Sequence, residues 1–289
     1  MNNLLDEMIK AYDVQSVYDK RNAVKEVIQE ITLCGLSRSG FFKQAAFYGG
    51  TALRIFYGLN RFSEDLDFSL LNKNDQFTLE SYLPVLEKEV RSFGLNVKIE
   101  KKNKTKDSPI HSAFIKGSTK EHLLLFYPED SMVSDIHSKE VIKIKFEIDV
   151  NPPAFATFEK KYRLLPAPYE VKIYDEASLF AGKIHAVVGR SWQNRVKGRD
   201  LYDYVFYLSK RAPVNLKHLQ ERLIQSGHLE TNETFSLAIL KQMLKDRFEK
   251  INYEQAKEDV VPFIKDAREL DIWSADFFAQ ITDSLQAKE

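Results

Sequence analysis

"FYGGTALRIFYGLNRFSEDLDFSLL", residues 47–71, decides how this chain is read. A short apolar run ends in the pair Gly49-Gly50, a helix-like stretch follows from Thr51 to Tyr57, Gly58 closes it, and a strand carries Asp65 to Leu70. Side chains alternate along a strand, so Asp65 and Asp67 share one face while Leu66, Phe68 and Leu70 share the other. Such a strand has one buried side, and its other side either lies in water or holds a cation. A helix beginning just after two glycines presents unpaired N–H groups and the positive end of its dipole. That makes Gly49, Gly50 and Thr51 candidates for gripping an anion such as a triphosphate.

Working outward, the clearest strand is "VIKIKFEIDV", 141–150, in which Ile142, Ile144, Phe146, Ile148 and Val150 alternate with Lys143, Lys145, Glu147 and Asp149. Asn151-Pro152-Pro153 stops it. If this strand and the Asp65–Leu70 strand lie in one sheet with their polar faces together, three or four carboxylates converge. Like charges that close raise one another's proton affinity unless a cation neutralises them. Mg²⁺ suits such a site, taking one or two carboxylates and filling its shell with water and phosphate oxygens. Two plainer readings stand beside this one. Asp-x-Asp is also the pattern of a solvated sheet face, and Lys143 and Lys145 are placed to make surface cross-strand pairs with Glu147 and Asp149.

The first forty residues read as helical through Val17, Val24, Val27, Ile28 and Ile31, with breaks near Gly35 and Gly40. A helix is expected over 78–93 despite Pro84, then short strands around 97–100, 111–115 and 123–127. From 176 onward the pattern is helical: 176–190, 199–210, 215–226, 233–250 and 274–286. Strands mixed with helices first and helices alone afterwards predict an α+β domain over 1–170, with an N-terminal helical segment, and a helical domain over 171–289.

Composition narrows the function classes. At 289 residues, 44% apolar and 29% charged, the sequence is that of a globular protein, and about 150 residues per domain gives two domains. Lysine plus arginine equals aspartate plus glutamate at 42 each, so no global basic field marks a nucleic-acid binder; RNA contact must come from local patches such as 101–106 or Arg195–Arg199. Cys34 is the only cysteine, which excludes an internal disulfide. Asp6 and Glu7 interrupt any signal-peptide core, and no apolar run reaches membrane length. A cytoplasmic protein without membrane contact, monomeric by default, is expected.

The stretch "GGTALRIFYGLNRFSEDLDF" resembles the signature of the AbiEii/AbiGii family of nucleotidyltransferase-like toxins, known from type IV toxin–antitoxin and abortive-infection phage-defence systems. "EASLFAGKIHAVVGRSWQNRVKGRDLYDY", 176–204, resembles its later lysine and Arg-Asp-x-x-Asp motifs, and "IKFEIDVNPP" fits the motif between them. The resemblance covers roughly residues 45–210. It implies a DNA polymerase β-like nucleotidyltransferase core followed by a helical domain, Mg²⁺, a nucleoside triphosphate donor and the tRNA 3′ end as acceptor; a protein hydroxyl, as in self-modification at Ser63, stays open beside it, as does a cognate antitoxin, which need not touch the toxin. Matched residue by residue, Ser63 and Asp65 form the Ser-x-Asp, Asp67 completes the metal pair with Glu147 or Asp149 as third carboxylate, Lys183 is the motif lysine and Asp200 the motif aspartate. Arg54 and Arg61 are expected to assist at the phosphates. Gly50 stands where the wider superfamily has serine, so Thr51 is the expected source of the hydroxyl.

By its own residues the second stretch gives an apolar stripe of Phe180, Ile184, Val187 and Val188 with Lys183 at its edge, either reaching a phosphate or snorkelling along the helix. His185 reads as packing or a surface hydrogen bond. Asp200 reads as a helix-start residue, with Asp203 on its face. Two other functions compete: a nucleotide-binding, GTP-type interaction protein of the same fold without turnover, and a glycosyltransferase that holds a sugar nucleotide through Asp-x-Asp.

Overall fold

A computed structural model describes residues 3–102, 109–127, 137, 139–190 and 196–288. The chain divides into two compact units: Met1–Ala52, Phe62–Pro152 and Lys160–Ile173 form the first, and Leu53–Arg61, Pro153–Glu159 and Tyr174–Glu289 the second. The described elements are α1 (Asn3–Lys10), α2 (Val17–Arg38), β1 (Ala45–Tyr48), α3 (Gly49–Tyr57), β2 (Leu66–Leu70), α4 (Leu83–Ser92), β3 (Val97–Lys101), β4 (Ile110–Ser118), α5 (Thr119–Phe126), β5 (Val141–Asp149), β6 (Phe158–Arg163) and β7 (Tyr169–Tyr174). After them come α6 (Glu176–Gly189), α7 (Gly198–Ser209), α8 (Leu216–Gln225), α9 (Leu237–Phe248), α10 (Tyr253–Val260) and α11 (Ala275–Thr282), with short 3₁₀ turns between.

The seven strands form one mixed sheet in the order β3-β4-β5-β2-β1-β7-β6. β2 runs parallel to β5 and antiparallel to β1, and β1 runs parallel to β7. One sheet face is apolar because the alternation demands it. Phe47, Phe68 and Phe146, from three neighbouring strands, stack with centroids 5.0 and 4.7 Å apart, and Phe41 meets Phe68 edge-on at 5.1 Å. These rings and the α2 stripe of Val24, Val27, Ile28 and Ile31 are buried and form the core of the first unit. In the second unit every described element after Tyr174 is a helix. Phe180, Tyr204, Tyr207, Phe248 and Phe278 are buried there, with Phe180 stacked on Tyr207 at 4.4 Å.

Several expectations need correction. The break at Gly35 is absent, since α2 continues to Arg38 and begins at a full capping box between Ser16 and Asp19. Gly35 is there for packing: a Cβ on it would press to 3.0 Å from the Glu89 side chain of α4. Residues 123–127 are not a strand but the end of α5, whose first turn is capped by the Ser118 hydroxyl and which buries His122, Leu123 and Phe126 on a helical period. Pro84 is accommodated because it sits in the first turn of α4. β6 and β7 were not anticipated, although "FEKKYR" and "YEVKIY" both alternate. Among the described residues no helix is long and apolar enough to cross a membrane.

Candidate functional site

The glycine pair comes first. Gly49 follows β1 directly and has φ +85°, a conformation that favours glycine. It also lies under the Asp67 side chain: a Cβ on it would be 3.0 Å from the Asp67 Cβ and inside van der Waals contact with the carboxylate. Tyr48 pairs with Asp67 in the β1–β2 register, so the sheet fixes this approach. Gly49→Ala is therefore expected to cost about 1–2 kcal/mol from the left-handed backbone alone and to push Asp67 aside. Urea denaturation together with nucleotide binding checks both effects.

Three contacts hold the segment ahead of β2. Buried Gln29 donates to the Ser63 carbonyl at 3.1 Å, Lys25 pairs with Glu64 at 3.1 Å, and the fully buried Thr51 donates its hydroxyl to the Asp65 carbonyl at 2.5 Å. Thr51 thus acts on the backbone that carries Asp65 and Asp67. Thr51→Val keeps the shape and removes that donor. A loss of about 1–3 kcal/mol, the cost of an unmade buried hydrogen bond, is expected with helix content unchanged in circular dichroism.

β2 and β5 lie side by side in parallel, so Asp67 stands opposite Glu147 and Ser69 opposite Asp149. Asp65, Asp67, Glu147 and Asp149 are all half-buried, while Leu66, Phe68, Phe146 and Ile148 between them are buried. The acidic faces of the two strands lie side by side. Among the described residues no group of three His, Cys, Asp or Glu side chains could hold a metal ion. The carboxylates of the later strand already have partners. Glu147 accepts from Ser112 at 2.9 Å and from Lys145 of its own strand at 2.5 Å, and Asp149 accepts the Asn151 N–H at 2.9 Å, turning back on its own loop. The pairing of Lys145 with Glu147 runs along one strand, not across two.

The donors near Asp67 are carboxylate oxygens, which suit a hard divalent cation such as Mg²⁺ and not a thiolate or imidazole site. The bare Cα of Gly49 leaves the Asp67 carboxylate the space that a Cβ would fill. The residues therefore fit a cation held by one or two carboxylates.

A second set of charges lies within the second unit. Asp175 caps α6 by accepting the Ser178 N–H at 2.9 Å, and the helix buries Phe180, Ile184 and Val187. Lys183 lies at the edge of that stripe and pairs with Asp200 at 3.2 Å and Asp203 at 2.6 Å, two residues on one face of α7. Its ammonium is held between carboxylates, which replaces the picture of a lysine laid along a helix surface. Asp200, in the first turn of α7, also meets Arg190 at 3.0 Å. Asp203 is fully buried and takes a two-pronged bond from Arg61, 2.7 Å from Nε and 2.7 Å from Nη2. Burial pushes the Asp203 carboxyl up, but Arg61 and Lys183 outweigh it and hold it below the usual carboxylate range. Arg61, expected at the phosphates, is committed to Asp203. Arg54 donates to the Leu59 carbonyl at 2.8 Å, closing the turn after its own helix. His185 bonds to Ser226 at 2.9 Å, and burial lowers its pKa to about 4. The Arg61–Asp203 pair was not foreseen; the only hint was that Asp203 follows Asp200 by three residues. Of the basic patches, 103–106 and Arg195 lie outside the described residues, while Arg199 meets Asp259 at 3.5 Å.

The site is thus a glycine-led helix start set against an Asp-x-Asp strand, with a second acidic strand alongside. Residues 31–281 match the family model described as "Nucleotidyl transferase AbiEii toxin, Type IV TA system", and the chain belongs to that family. The glycosyltransferase alternative gives way to this membership. No curated protein matches the chain. Among solved structures, the chain is similar to JHP933 from Helicobacter pylori, at 22% identity over 90% of this chain and 91% of that one with a TM-score of 0.45. It is also similar to a putative nucleotidyltransferase from H. pylori, at 22% identity over 88% of each chain with a TM-score of 0.42.

Proposed function

We propose that this protein is a Mg²⁺-dependent nucleotidyltransferase that moves a nucleotide from a nucleoside triphosphate to an RNA hydroxyl, with the tRNA 3′ end as acceptor, and acts as a cytoplasmic type IV toxin in phage defence. The observation that carries the reading is the register of Asp67 against Glu147 beside the Gly49 turn, in a chain of the AbiEii family. The first unit is the polymerase β-like core in this reading. The sequence boundary, 1–170 for transfer and 171–289 for the helical part, is kept as its division of labour.

Asp65 and Asp67 hold the cation, which when bound supplies Lewis-acid polarisation of the α-phosphoryl group. The remaining roles fall to the chain itself. The first N–H groups of α3, after Gly49 and Gly50, receive phosphate oxygens, where the helix dipole favours negative charge. Glu147, opposite Asp67, takes the proton of the attacking hydroxyl as its oxygen bonds to the α-phosphorus in line and the bond to the β-phosphate breaks, releasing pyrophosphate. Asp149 is a poorer candidate because it stands opposite Ser69, not Asp67, in the register. Lys183 and Asp200 keep the roles of the family's motif lysine and aspartate, and Ser63 that of its motif serine; these assignments rest on the sequence match. An antitoxin acting without contact with this chain belongs to the same reading.

Incubation of the purified protein with Mg²⁺, each α-labelled ribonucleoside triphosphate in turn and total bacterial RNA tests it. Label on a tRNA-sized band, lost on chelation, is expected. Label retained on the protein would redirect the acceptor to a protein hydroxyl. Nucleotide binding without transfer would leave a GTP-type binding protein and overturn the transfer reading.

A further inference from the structure

The sheet face that carries Asp67 and Glu147 continues, away from them, into a group of lysines, of which Lys145 alone touches Glu147. Register sets Lys145 opposite Phe114 and Lys143 opposite Lys116 across β5 and β4, and Lys98 opposite Lys116 across β3 and β4. The ammonium groups of Lys143, Lys102 and Lys116 stand 3.9, 5.8 and 5.8 Å from the centroid of one ring, that of Phe114. The alternate residues of the same strands, Val97, Ala113, Ile115, Ile142 and Ile144, are buried, so the lysines occupy the opposite, open face, where Lys98, Lys102 and Lys143 are exposed. Among the described residues, five lysines meet two carboxylates here. Glu100 pairs with Lys98 at 3.2 Å and Lys116 at 2.6 Å, and Glu147 pairs with Lys145, leaving an excess of three positive charges.

Three ammonium groups around one ring repel each other, and a cation–π contact at an exposed site returns only about 0.5–1 kcal/mol. A chain of phosphates is the partner whose charge relieves that repulsion at several points at once. From Lys143 to Glu147 is four residues of strand, about 13 Å at ~3.3 Å per residue. The basic row therefore leads along the sheet directly to the acidic position.

We propose that this face of β3, β4 and β5 binds the sugar–phosphate backbone of a single RNA strand, with Lys102, Lys116 and Lys143 spaced by Phe114 as the phosphate contacts, and delivers its end to the carboxylate strands. The proposal rests on the RNA-acceptor reading above and adds the surface that holds the acceptor.

Fluorescence anisotropy of a labelled single-stranded RNA oligonucleotide against the full-length protein, over a series of salt concentrations, tests it. Single-strand binding loses about 0.7 in the log–log salt slope per phosphate contact removed. The triple variant Lys102→Gln, Lys116→Gln, Lys143→Gln is thus expected to lower the slope by about 2 and to weaken binding at low salt. A control carrying Lys73→Gln, Lys217→Gln and Lys250→Gln is expected to bind as the wild type does. The matching triple arginine variant should also bind like the wild type, which separates lost charge from lost fold. Unchanged slope and affinity in the glutamine triple, or no RNA binding by the wild type, overturns the proposal and leaves the face to an acidic protein. The two readings fail separately. RNA bound with the expected slope but never labelled sinks nucleotidyl transfer and keeps the surface; RNA labelled equally well by wild type and glutamine triple keeps transfer and sinks the surface.

Discussion

Replacing Arg61 with methionine is expected to destabilise the protein by about 3–5 kcal/mol, the cost of leaving one partner of a buried ion pair behind. Asp203 has no exposed surface, and Arg61 supplies two parallel hydrogen bonds to it. Without the guanidinium, the carboxylate keeps, among the described residues, the contact with Lys183, which it already shares with Asp200. The pH dependence gives the sharper test. Asp203 has a folded pKa below its unfolded value, so its contribution is present above the ordinary carboxylate range of about 4 and is lost as pH falls through the folded pKa. Removing Arg61 removes the first of the influences that hold that pKa down, so acid unfolding of Arg61→Met should begin at higher pH than in the wild type. His185 and His218, both lowered to about 4 mainly by burial, also make the protein lose stability as pH falls below about 6.5, the unfolded value, but they do so in wild type and variant alike. Urea denaturation at neutral pH and an acid titration followed by circular dichroism measure the two effects. A variant with the wild-type acid midpoint would show that Arg61 does not set the state of Asp203. The double change Arg61→Met, Asp203→Leu should recover part of the loss, since well-packed apolar groups often replace a buried pair at little cost.

How far the sequence alone reached depends on which contacts fix each element. The strands that alternate cleanly, Leu66–Leu70 and Val141–Asp149, were legible because one face of each is buried in the Phe47–Phe68–Phe146 stack and the other is not. Their order in the sheet was not legible, since nothing local to either strand specifies which neighbour it takes. Residues 123–127 misled because Leu123, Leu124, Leu125 and Phe126 form a short apolar run with no period of their own; the cap at Ser118, five residues upstream, makes them a helix. At the site, Asp67 and the glycine turn could be found from spacing. The engagement of Glu147 by Ser112 could not, because Ser112 lies 35 residues away on β4 and reaches it only through strand register. Arg61 and Asp203 lie 142 residues apart, and their bond follows from burial, which no spacing encodes.

Asp67→Asn should reduce nucleotidyl transfer on the order of 10²–10³-fold, the usual loss when one preorganised charge partner of a reacting centre is removed, and should do so mainly in kcat. Asparagine keeps the volume beside the bare Cα of Gly49 and the pairing with Tyr48, so the sheet should remain intact while the negative charge is lost. Glu147→Gln and Asp149→Asn separate the two candidates for the third carboxylate. Glu147 faces Asp67 across parallel strands, and removing a general base costs about 10²–10⁴-fold; Asp149 faces Ser69 and turns back to the Asn151 N–H. Glu147→Gln should therefore fall as far as Asp67→Asn. Asp149→Asn should stay within about tenfold of the wild type, because its carboxylate chiefly shapes a loop. Equal losses at 147 and 149 would mean that the register does not select the base, and a large loss at Asp149 alone would move the proton acceptor one strand position pair further along β5. Glu147 also bears the Lys145 ammonium at 2.5 Å, so Lys145→Met removes one partner of that carboxylate and should leave transfer intact.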